Sequence, residues 1–416
     1  MRDDERTILT ALFRAAVDAA NPARAVAANL PAPPKGRTVV IGAGKASITM
    51  AEALEAHWKS ALEGFVVAPK GYVSPLRRVE TVYGSHPVSD ETSLAAAEKA
   101  LALAATLRKD DLLIALISGG GSALMAKPAP GIAMDEKFGL IRTLLKSGAH
   151  IAELNCVRKH VSAVKGGLLA RAAGEARIHT LVLSDVPGDD PAVVASGPTV
   201  ADPTSNADAL AILRRYRIAA PPSVERWLSS PDVLRGPLRN DNETRVIVSA
   251  HGSFEAASAK AKAMGLNVLY LGDRIEGESR EVAKVHSAIA RQVLQYDAPV
   301  AKPCVILSGG ETGVTVRGNG RGGRNVEFAL SLAVSLGGEP RIHALAADTD
   351  GVDGMEEVAG AFIAPDTLER ARAIGLDPVA MLENNDAHSL FEALGDQIIT
   401  GPTHTNVNDF RAILIR

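Results

Sequence analysis

The sequence predicts an α/β protein built on a mostly parallel, doubly wound sheet. Three observations predict it. Short apolar runs of strand length alternate with longer helical segments, the pattern of βαβ units. Several of those runs end in a glycine turn that opens directly into a helix. Alanine and glycine are abundant and aromatic residues make up only 4% of the chain, which suits close packing of helices on a sheet. At 416 residues the chain is too long for one ordinary core, so two domains are expected.

Taken in order, residues 4–28 read as one alanine-rich amphipathic helix, with Ile8, Leu9, Leu12 and Phe13 on a single stripe and the stretch from Pro31 to Gly36 ending it. Strand 38–42, a helix over 46–60, strands 64–68 and 80–83, a helix over 90–107 and strand 112–117 follow. Helices are expected at 122–126 and 135–147, a basic helical stretch at 157–174 and a buried strand at 179–184. Prolines and polar residues between Pro221 and Asn242 place the domain boundary there, giving an N-terminal domain of residues 1–238 and a smaller C-terminal α/β domain of residues 239–416. The second domain is expected to begin with strand 245–250 and to continue through 268–271, 304–308 and 343–347. Its last strands, near 397 and at 412–415, have the option of packing back toward the first domain.

The net charge of -3 gives no reason to expect nucleic acid or an anionic membrane as partner. Cys156 and Cys304 sit in apolar contexts far apart in the chain and read as buried free thiols. The start, Met1-Arg-Asp-Asp-Glu-Arg, is acidic where a secretory signal is basic, and no apolar run reaches the roughly 20 residues that span a bilayer. A soluble cytoplasmic protein is expected.

The most informative stretch is Val305-Ile-Leu-Ser-Gly-Gly-Glu-Thr-Gly-Val-Thr-Val316 with Arg321-Gly-Gly-Arg-Asn-Val-Glu-Phe328 after it. An apolar strand is expected to end in a glycine turn at Gly309 and Gly310 that carries Glu311. Arg321 and Arg324 then reach the mouth of a helix beginning near Asn325. Glycine backbone amides, a helix N-terminus and a guanidinium fork are all means of holding a small anion. Two other segments have the same form. One is Gly42-Ala-Gly44-Lys45 after strand 38–42; the other is Ser118-Gly119-Gly120-Gly121-Ser122 after strand 112–117. The plainer reading of each loop is tight packing of helix on sheet, but three of them suggest convergence on polyanionic ligands.

Lys45 does not belong to a P-loop: Val39 stands where the first glycine belongs and Ala46 follows the lysine. The turn is also a poor dinucleotide fingerprint, because Ser47 replaces the third glycine and the second strand ends in Ala68-Pro69-Lys70 rather than an acid. An ammonium in a first helical turn opposes the helix dipole, which favours anion binding over simple solvation. Asp185, Asp189 and Asp190 follow a buried strand. They suit Mg²⁺ or a general base, and Pro187-Gly188 equally allows turn-forming aspartates. Asp348 and Asp350 begin an EF-hand-like run that fails, since the sixth position is Asp353 instead of glycine. Asn384-Asn-Asp-Ala387 and Gly401-Pro-Thr-His-Thr-Asn-Val-Asn408-Asp409 are polar turns able to bind a hydroxy acid or merely to cap. Arg158, Lys159 and Lys165 make a basic stripe, which by default is solvated surface and in a site adds phosphate-binding charge. The ten histidines have no metal-ligand spacing, and His86 and His160 read as structural or substrate-positioning.

In this order the motifs resemble the glycerate 2-kinase family, the class that carries the MOFRL domain. The resemblance is carried by Ile41-Gly-Ala-Gly-Lys-Ala46, His86-Pro-Val-Ser-Asp-Glu91, Ile117-Ser-Gly-Gly-Gly-Ser-Ala-Leu124, Leu154-Asn-Cys-Val-Arg-Lys-His160, Lys165-Gly-Gly167, Ser184-Asp-Val-Pro-Gly-Asp-Asp190, Ser308-Gly-Gly-Glu-Thr312, Gly322-Gly-Arg-Asn325, Asp348-Thr-Asp-Gly-Val-Asp353 and the Gly401–Asp409 run. Ala347 and Met355-Glu-Glu357 depart from the family pattern. The resemblance implies a Rossmann-like N-terminal domain, a smaller C-terminal one and an active site in the cleft. It also implies phosphorylation of D-glycerate by ATP with Mg²⁺, giving 2-phosphoglycerate. The family's implicated lysine and arginine map onto Lys45 and Arg324. Asp189 is then the expected catalytic carboxylate, with Asp185, Asp190, Asp348 and Asp350 as candidate metal contacts. Relatives also carry the label hydroxypyruvate reductase, so an NAD(P)H-dependent reductase is the alternative. A non-catalytic sensor of a hydroxy acid is the third class. A homodimer is compatible with all of these.

Overall fold

Six of the expected runs form one sheet: β1 (Thr38–Ala43), β2 (Glu63–Pro69), β3 (Glu80–Gly84), β4 (Leu112–Ile117), β5 (Arg177–Leu183) and β6 (Glu243–Val248), in the order β3-β2-β1-β4-β5-β6. This computed structural model describes residues 3–186, 188–231, 238–239, 241–403 and 405–416, the side chains of Asp3 and Ile151 aside. The first five strands pair in parallel. β1 and β4 are buried along their whole length, as parallel strands covered on both faces must be. The order is that of a doubly wound Rossmann sheet, and its direction reverses between β1 and β4. Ala43 pairs with Ile117, so the loops after both strands leave the sheet side by side.

The second sheet comprises β7 (Asn267–Tyr270), β8 (Ile275–Glu278), β9 (Cys304–Gly313), β10 (Ile342–Asp348), β11 (Gly360–Ile363), β12 (Gln397–Ile398) and β13 (Asp409–Ile415). Its order is β12-β11-β10-β13-β9-β7, with β8 extending the ladder along the far end of β9. β13 runs antiparallel to both β9 and β10. It is therefore a central strand of its own sheet.

The chain divides into two compact units that cut across the expected boundary at 238/239. One is Pro22–Ile247; the other joins Met1–Asn21 to Val248–Arg416. Two features cause the difference. The run expected to open the second domain is β6, at the edge of the first sheet. The predicted helix over 4–28 is broken into Asp3–Ala19 and Pro22–Ala28, because Pro22 has no N–H for a continuous helix and biases Asn21 away from helical backbone. The Asp3–Ala19 helix then buries Leu9, Leu12, Phe13 and Ala16 among Phe254, Leu345 and Phe410 of the second unit. Phe13 meets Phe410 edge-on at 5.6 Å, and Phe254 stacks on Phe410 at 5.3 Å.

The stretch expected as one basic helix over 157–174 is also two helices, Ile151–His160 and Leu168–Ala172. Gly166 (φ 60) and Gly167 (φ 81) take left-handed backbone between them and stop the helix. Cys156 and Cys304 are free and buried. No helix among the described residues is long and apolar enough to cross a membrane. The expectations that fall on Met1, Arg2, Pro187, residues 232–237, Asn240 and His404 lie outside the described residues.

Leu12→Ala is expected to cost about 2–5 kcal/mol, the range for a leucine deleted from a packed core. Chemical unfolding monitored in the full chain checks it; no loss of stability would mean that the N-terminal helix does not belong to the second unit's core.

Candidate active site

In the Pro22–Ile247 unit, the loops after β1 and β4 are sewn to each other. Lys45 N–H donates to the Gly119 carbonyl at 2.8 Å, Ala46 N–H to Ser118 Oγ at 3.1 Å, and Ser118 N–H to the Ala43 carbonyl at 3.1 Å. Gly44 has φ 141, and a Cβ there would lie 2.0 Å from Ser118 Oγ, so only glycine allows this approach. Gly119 packs against Asp185: an added Cβ would fall 1.7 Å from its carboxylate oxygen. Gly120 (φ 80) lies between the His86 ring and the Lys45 side chain, whose atoms would stand 3.1 and 3.4 Å from an added Cβ. Gly121 is pressed against the Ala43 carbonyl and Ala195. Gly42 lies inside β1 rather than in the loop, with Val66 and the Leu116 backbone filling the space of its missing side chain.

Around this loop the structure brings together Lys45, Ser118, Gly119, Gly120, Gly121, Ser122, Lys165 and Asp185. Lys165 Nζ donates to the carbonyl and hydroxyl of Ser122 at 2.6 and 2.8 Å, and Ser122 Oγ lies 3.0 Å from Ser196 Oγ. Arg158 lines the same cavity as Gly120, Ser122 and Lys165. Lys45 makes no ion pair among the described residues. Burial, and secondarily the charge of Lys45, holds the His86 imidazole below its ordinary pKa, so the ring is neutral at pH 7. Asp189 has left-handed backbone (φ 56), a conformation non-glycine residues rarely hold without a local reason. Asp190 uses Oδ1 to accept Ala192 N–H at 2.9 Å, a turn-forming role.

The second cluster lies in the other unit, at one end of its central strands β9, β10 and β13. Register places Asp348 opposite Asp409 and Asp409 opposite Gly310. Arg324, the first residue of helix Arg324–Leu336, spans them: Nε donates to Asp409 at 2.6 Å, Nη2 to Asp348 at 2.7 Å and Nη1 to Glu311 at 3.1 Å. The guanidinium is therefore shared among three carboxylates instead of standing free as a fork. Its pKa is raised: burial opposes its charge, and Asp409, Asp348 and Glu311 outweigh that cost. Burial, then the like charges of Asp350 and Asp409, push the Asp348 carboxyl upward against the pull of Arg324. Burial works the same way on Asp409, but Arg411 and Arg324 prevail and its pKa is lowered.

The helix N-terminus expected to receive a ligand is taken by a side chain. Asp353 accepts Asn325 N–H at 3.0 Å and Val326 N–H at 2.9 Å, acting as an internal cap. Asn325 Nδ2 reaches Asp353 at 3.3 Å and Asp409 at 3.0 Å. The expected glycine turn is also absent, because β9 runs straight through Gly309, Gly310 and Glu311. Gly309 makes room for the Phe254 ring and Gly310 (φ 121) for the backbone of Ile275, which gives both a packing role. Arg321 is drawn away to Glu356 and Glu392. Asp350 accepts Val352 N–H at 2.9 Å and Asn406 Nδ2 at 3.2 Å. Asn408 (φ 63) gives its carbonyl to Thr349 N–H and Oγ1. Thus the four carboxylates expected at a metal are split, Asp185 and Asp190 in one unit and Asp348 and Asp350 in the other. Among the described residues no three acidic, histidine or cysteine side chains form a ready metal cage.

Sequence reasoning missed Asp409 and Arg411 as a pair. Arg411 is fully buried, donates to Asp409 and, at 2.9 Å, to Thr312 Oγ1, and lies over the Phe328 ring at 4.9 Å. Asp and Arg two residues apart on an otherwise apolar strand share one face, and that spacing was the available signal.

A doubly wound unit with a cationic glycine loop at the reversal of strand order, joined in one chain to a mixed α/β unit with an arginine–carboxylate cluster, defines a recognisable class. The model for a domain of unknown function, DUF4147, matches residues 8–229, and that for the MOFRL family matches residues 304–409. A protein of Agrobacterium vitis, provisionally named a hydroxypyruvate reductase, is 51% identical over 99% of this chain and 94% of its own length. The D-glycerate 2-kinase of Thermotoga maritima is 38% identical over 96% of this chain and 95% of its own length. The crystal structure of a glycerate kinase from Thermotoga maritima superposes with a TM-score of 0.91 at 36% identity, covering 100% of both chains. The chain belongs to the DUF4147–MOFRL family that includes the glycerate 2-kinases.

Arg324→Ala is expected to cost about 3–5 kcal/mol, because Asp348 would keep its burial and lose its cation, and Asp409 would be left with Arg411 alone. Urea unfolding at pH 7 checks it. A variant as stable as the parent would mean that the three ion pairs contribute nothing to the fold.

Proposed function

We infer that the chain is a cytoplasmic glycerate 2-kinase that transfers the γ-phosphoryl group of ATP, with Mg²⁺, to the C2 hydroxyl of D-glycerate. The observation that carries this reading is the unpaired Lys45 ammonium on the glycine loops of β1 and β4. In open α/β sheets ligands bind outside the carboxyl ends of strands where the strand order reverses. Phosphoryl transfer depends mainly on positioning and charge neutralisation, and a lysine on a rigid loop supplies both. The full-length likeness to glycerate kinases supports the same reading. Nicotinamide chemistry fits less well: β2 ends at Pro69, and Lys70 beyond it pairs with Asp90 where a ribose-binding acid belongs.

Each cluster has a part in the proposal. Lys45 neutralises charge on the transferring group. Arg324 has five N–H donors, of which three are committed to carboxylates, so the remaining two point to the substrate anion. Asp189 takes the proton of the C2 hydroxyl, with Asp185 beside Gly119 in support. The donor set fits Mg²⁺, since Asp348 and Asp350 are hard oxygen ligands whose mutual repulsion a divalent cation would relieve. When bound there, the ion would supply charge neutralisation for the polyphosphate. A homodimer is compatible with this reading.

Product identity tests it. With ATP and D-glycerate, enolase alone should draw off the product; a need for added phosphoglycerate mutase would mean phosphorylation at C3. Oxidation of NAD(P)H by hydroxypyruvate without any ADP formation would replace the kinase by a reductase. Asp189→Asn is expected to lower turnover at least about a hundredfold while D-glycerate still binds, the scale for losing acid–base assistance. Near-normal turnover in Asp189→Asn, with collapse in Asp185→Asn, would move the role to Asp185.

A further inference from the structure

A cavity of about 490 Å³ opens beside the glycine loop of the Pro22–Ile247 unit, and its charge is one-sided. Lys137, Arg142, Arg158 and Lys165 line it, and among the described residues no carboxylate does. Lys137 is 4% exposed and Lys165 3%. Among the described residues Lys137 Nζ reaches only the Lys127 carbonyl at 3.2 Å, Arg158 only the Asn155 side-chain oxygen at 3.5 Å. Lys165 reaches only Ser122. None of the three has an ion pair among the described residues. Burial holds the Lys137 ammonium down to about 7. Burial, and then repulsion from Lys137 and Arg158, pushes Lys165 well below the ordinary lysine range. Buried cations without counter-charge are expensive, and the energetic reason to retain them together is an anion that arrives from outside.

The rest of the lining is partly apolar. Helix Met134–Lys146 turns Phe138, Ile141 and Leu145 into the cavity at three- and four-residue spacing, on the face that also bears Lys137 and Arg142. An amphipathic helix normally buries such a stripe, yet Leu145 is 56% exposed at the cavity lip. A ligand that is a polyanion in one part and flat and apolar in another matches a lining of both kinds.

We propose that this cavity is the nucleotide seat. The polyphosphate of ADP or ATP lies on Lys137, Arg158 and Lys165, with Arg142 at the rim, and the base lies against Phe138, Ile141 and Leu145. The assignment rests on the kinase reading and deepens it, since it separates the nucleotide from the hydroxy acid. D-Glycerate carries one carboxylate, too little charge to match four basic side chains, and a three-carbon acid has nothing to set against Phe138, Ile141 and Leu145. A nucleoside polyphosphate supplies several negative charges and a base of the right character.

The test is calorimetric titration of the full chain with ADP and with inorganic tripolyphosphate, beside steady-state KM values for ATP and D-glycerate. ADP should bind the parent protein, and tripolyphosphate should compete with it. Arg142→Glu and Lys137→Met should each weaken ADP at least about tenfold, with the D-glycerate KM within about twofold of the parent value. Phe138→Ala should weaken ADP and leave tripolyphosphate unchanged. Arg142 is exposed, so Arg142→Glu keeps the test alive if Lys137→Met does not fold. Unchanged ADP affinity in folded Arg142→Glu and Phe138→Ala overturns the assignment, and a raised D-glycerate KM in the same variants gives the cavity to the acid. Parent protein that binds ADP here but never phosphorylates D-glycerate would defeat the kinase reading and leave the nucleotide seat standing.

Discussion

The close approach of Gly44 to Ser118 is the constraint on which the first unit's site depends. Parallel pairing of β1 and β4 brings their carboxyl ends together, but pairing alone leaves two loops free to diverge. The missing Cβ at Gly44 lets Ser118 Oγ sit where a side chain would be, and that hydroxyl then accepts the Ala46 N–H. Lys45 is thereby fixed by its own N–H to the Gly119 carbonyl, so its side chain leaves a rigid base instead of a flexible turn. Gly119 and Gly120 extend the same logic outward, admitting Asp185 on one side and His86 and Lys45 on the other. A preorganised cation costs no reorganisation at the moment of reaction, which is where such groups gain their effect.

The second unit solves a different problem. Asp348, Asp409 and Glu311 crowd one end of the central strands, and among the described residues Arg324 alone touches all three. Arg411 supports it from beneath by holding the other oxygen of Asp409, and Thr312 adds its N–H at 3.1 Å. Ser279 Oγ closes the chain of contacts, its one proton within reach of Thr312 Oγ1 at 2.7 Å and of the Arg324 carbonyl at 2.9 Å. Truncating one member would leave others buried and unpaired, so the network is expected to act as a unit.

Much of the fold was legible because parallel strands buried on both faces are continuous apolar runs. Residues 112–117 were placed to the residue for that reason, whereas the reversal of strand order between β1 and β4 came only with the structure. What misled was context that acts over distance. β6 looks like the start of a new unit because nothing local records which sheet edge it joins. The N-terminal helix gives no sign that its apolar stripe fits against Phe254 and Phe410, more than two hundred residues away. In the site, Lys45, Ser118, Gly119 and Gly120 were readable from turn chemistry. Gly309 and Gly310 were misread, because a glycine that admits a ring or a neighbouring strand looks the same in sequence as one that admits a phosphate. Lys137 was missed because a lysine in an amphipathic helix reads as solvated surface until its burial is known.

The account turns on Lys45 acting in the transfer step rather than in holding the fold or the ground-state ligands together. The most direct measurement is the single-turnover rate of γ-phosphoryl transfer from ATP to D-glycerate, by rapid quench at saturating ligands, for the parent protein and Lys45→Ala. The account predicts a rate at least about a hundredfold lower in a folded Lys45→Ala chain, the loss expected for a preorganised electrostatic group. An unchanged single-turnover rate, with any defect confined to ligand affinity, would contradict it.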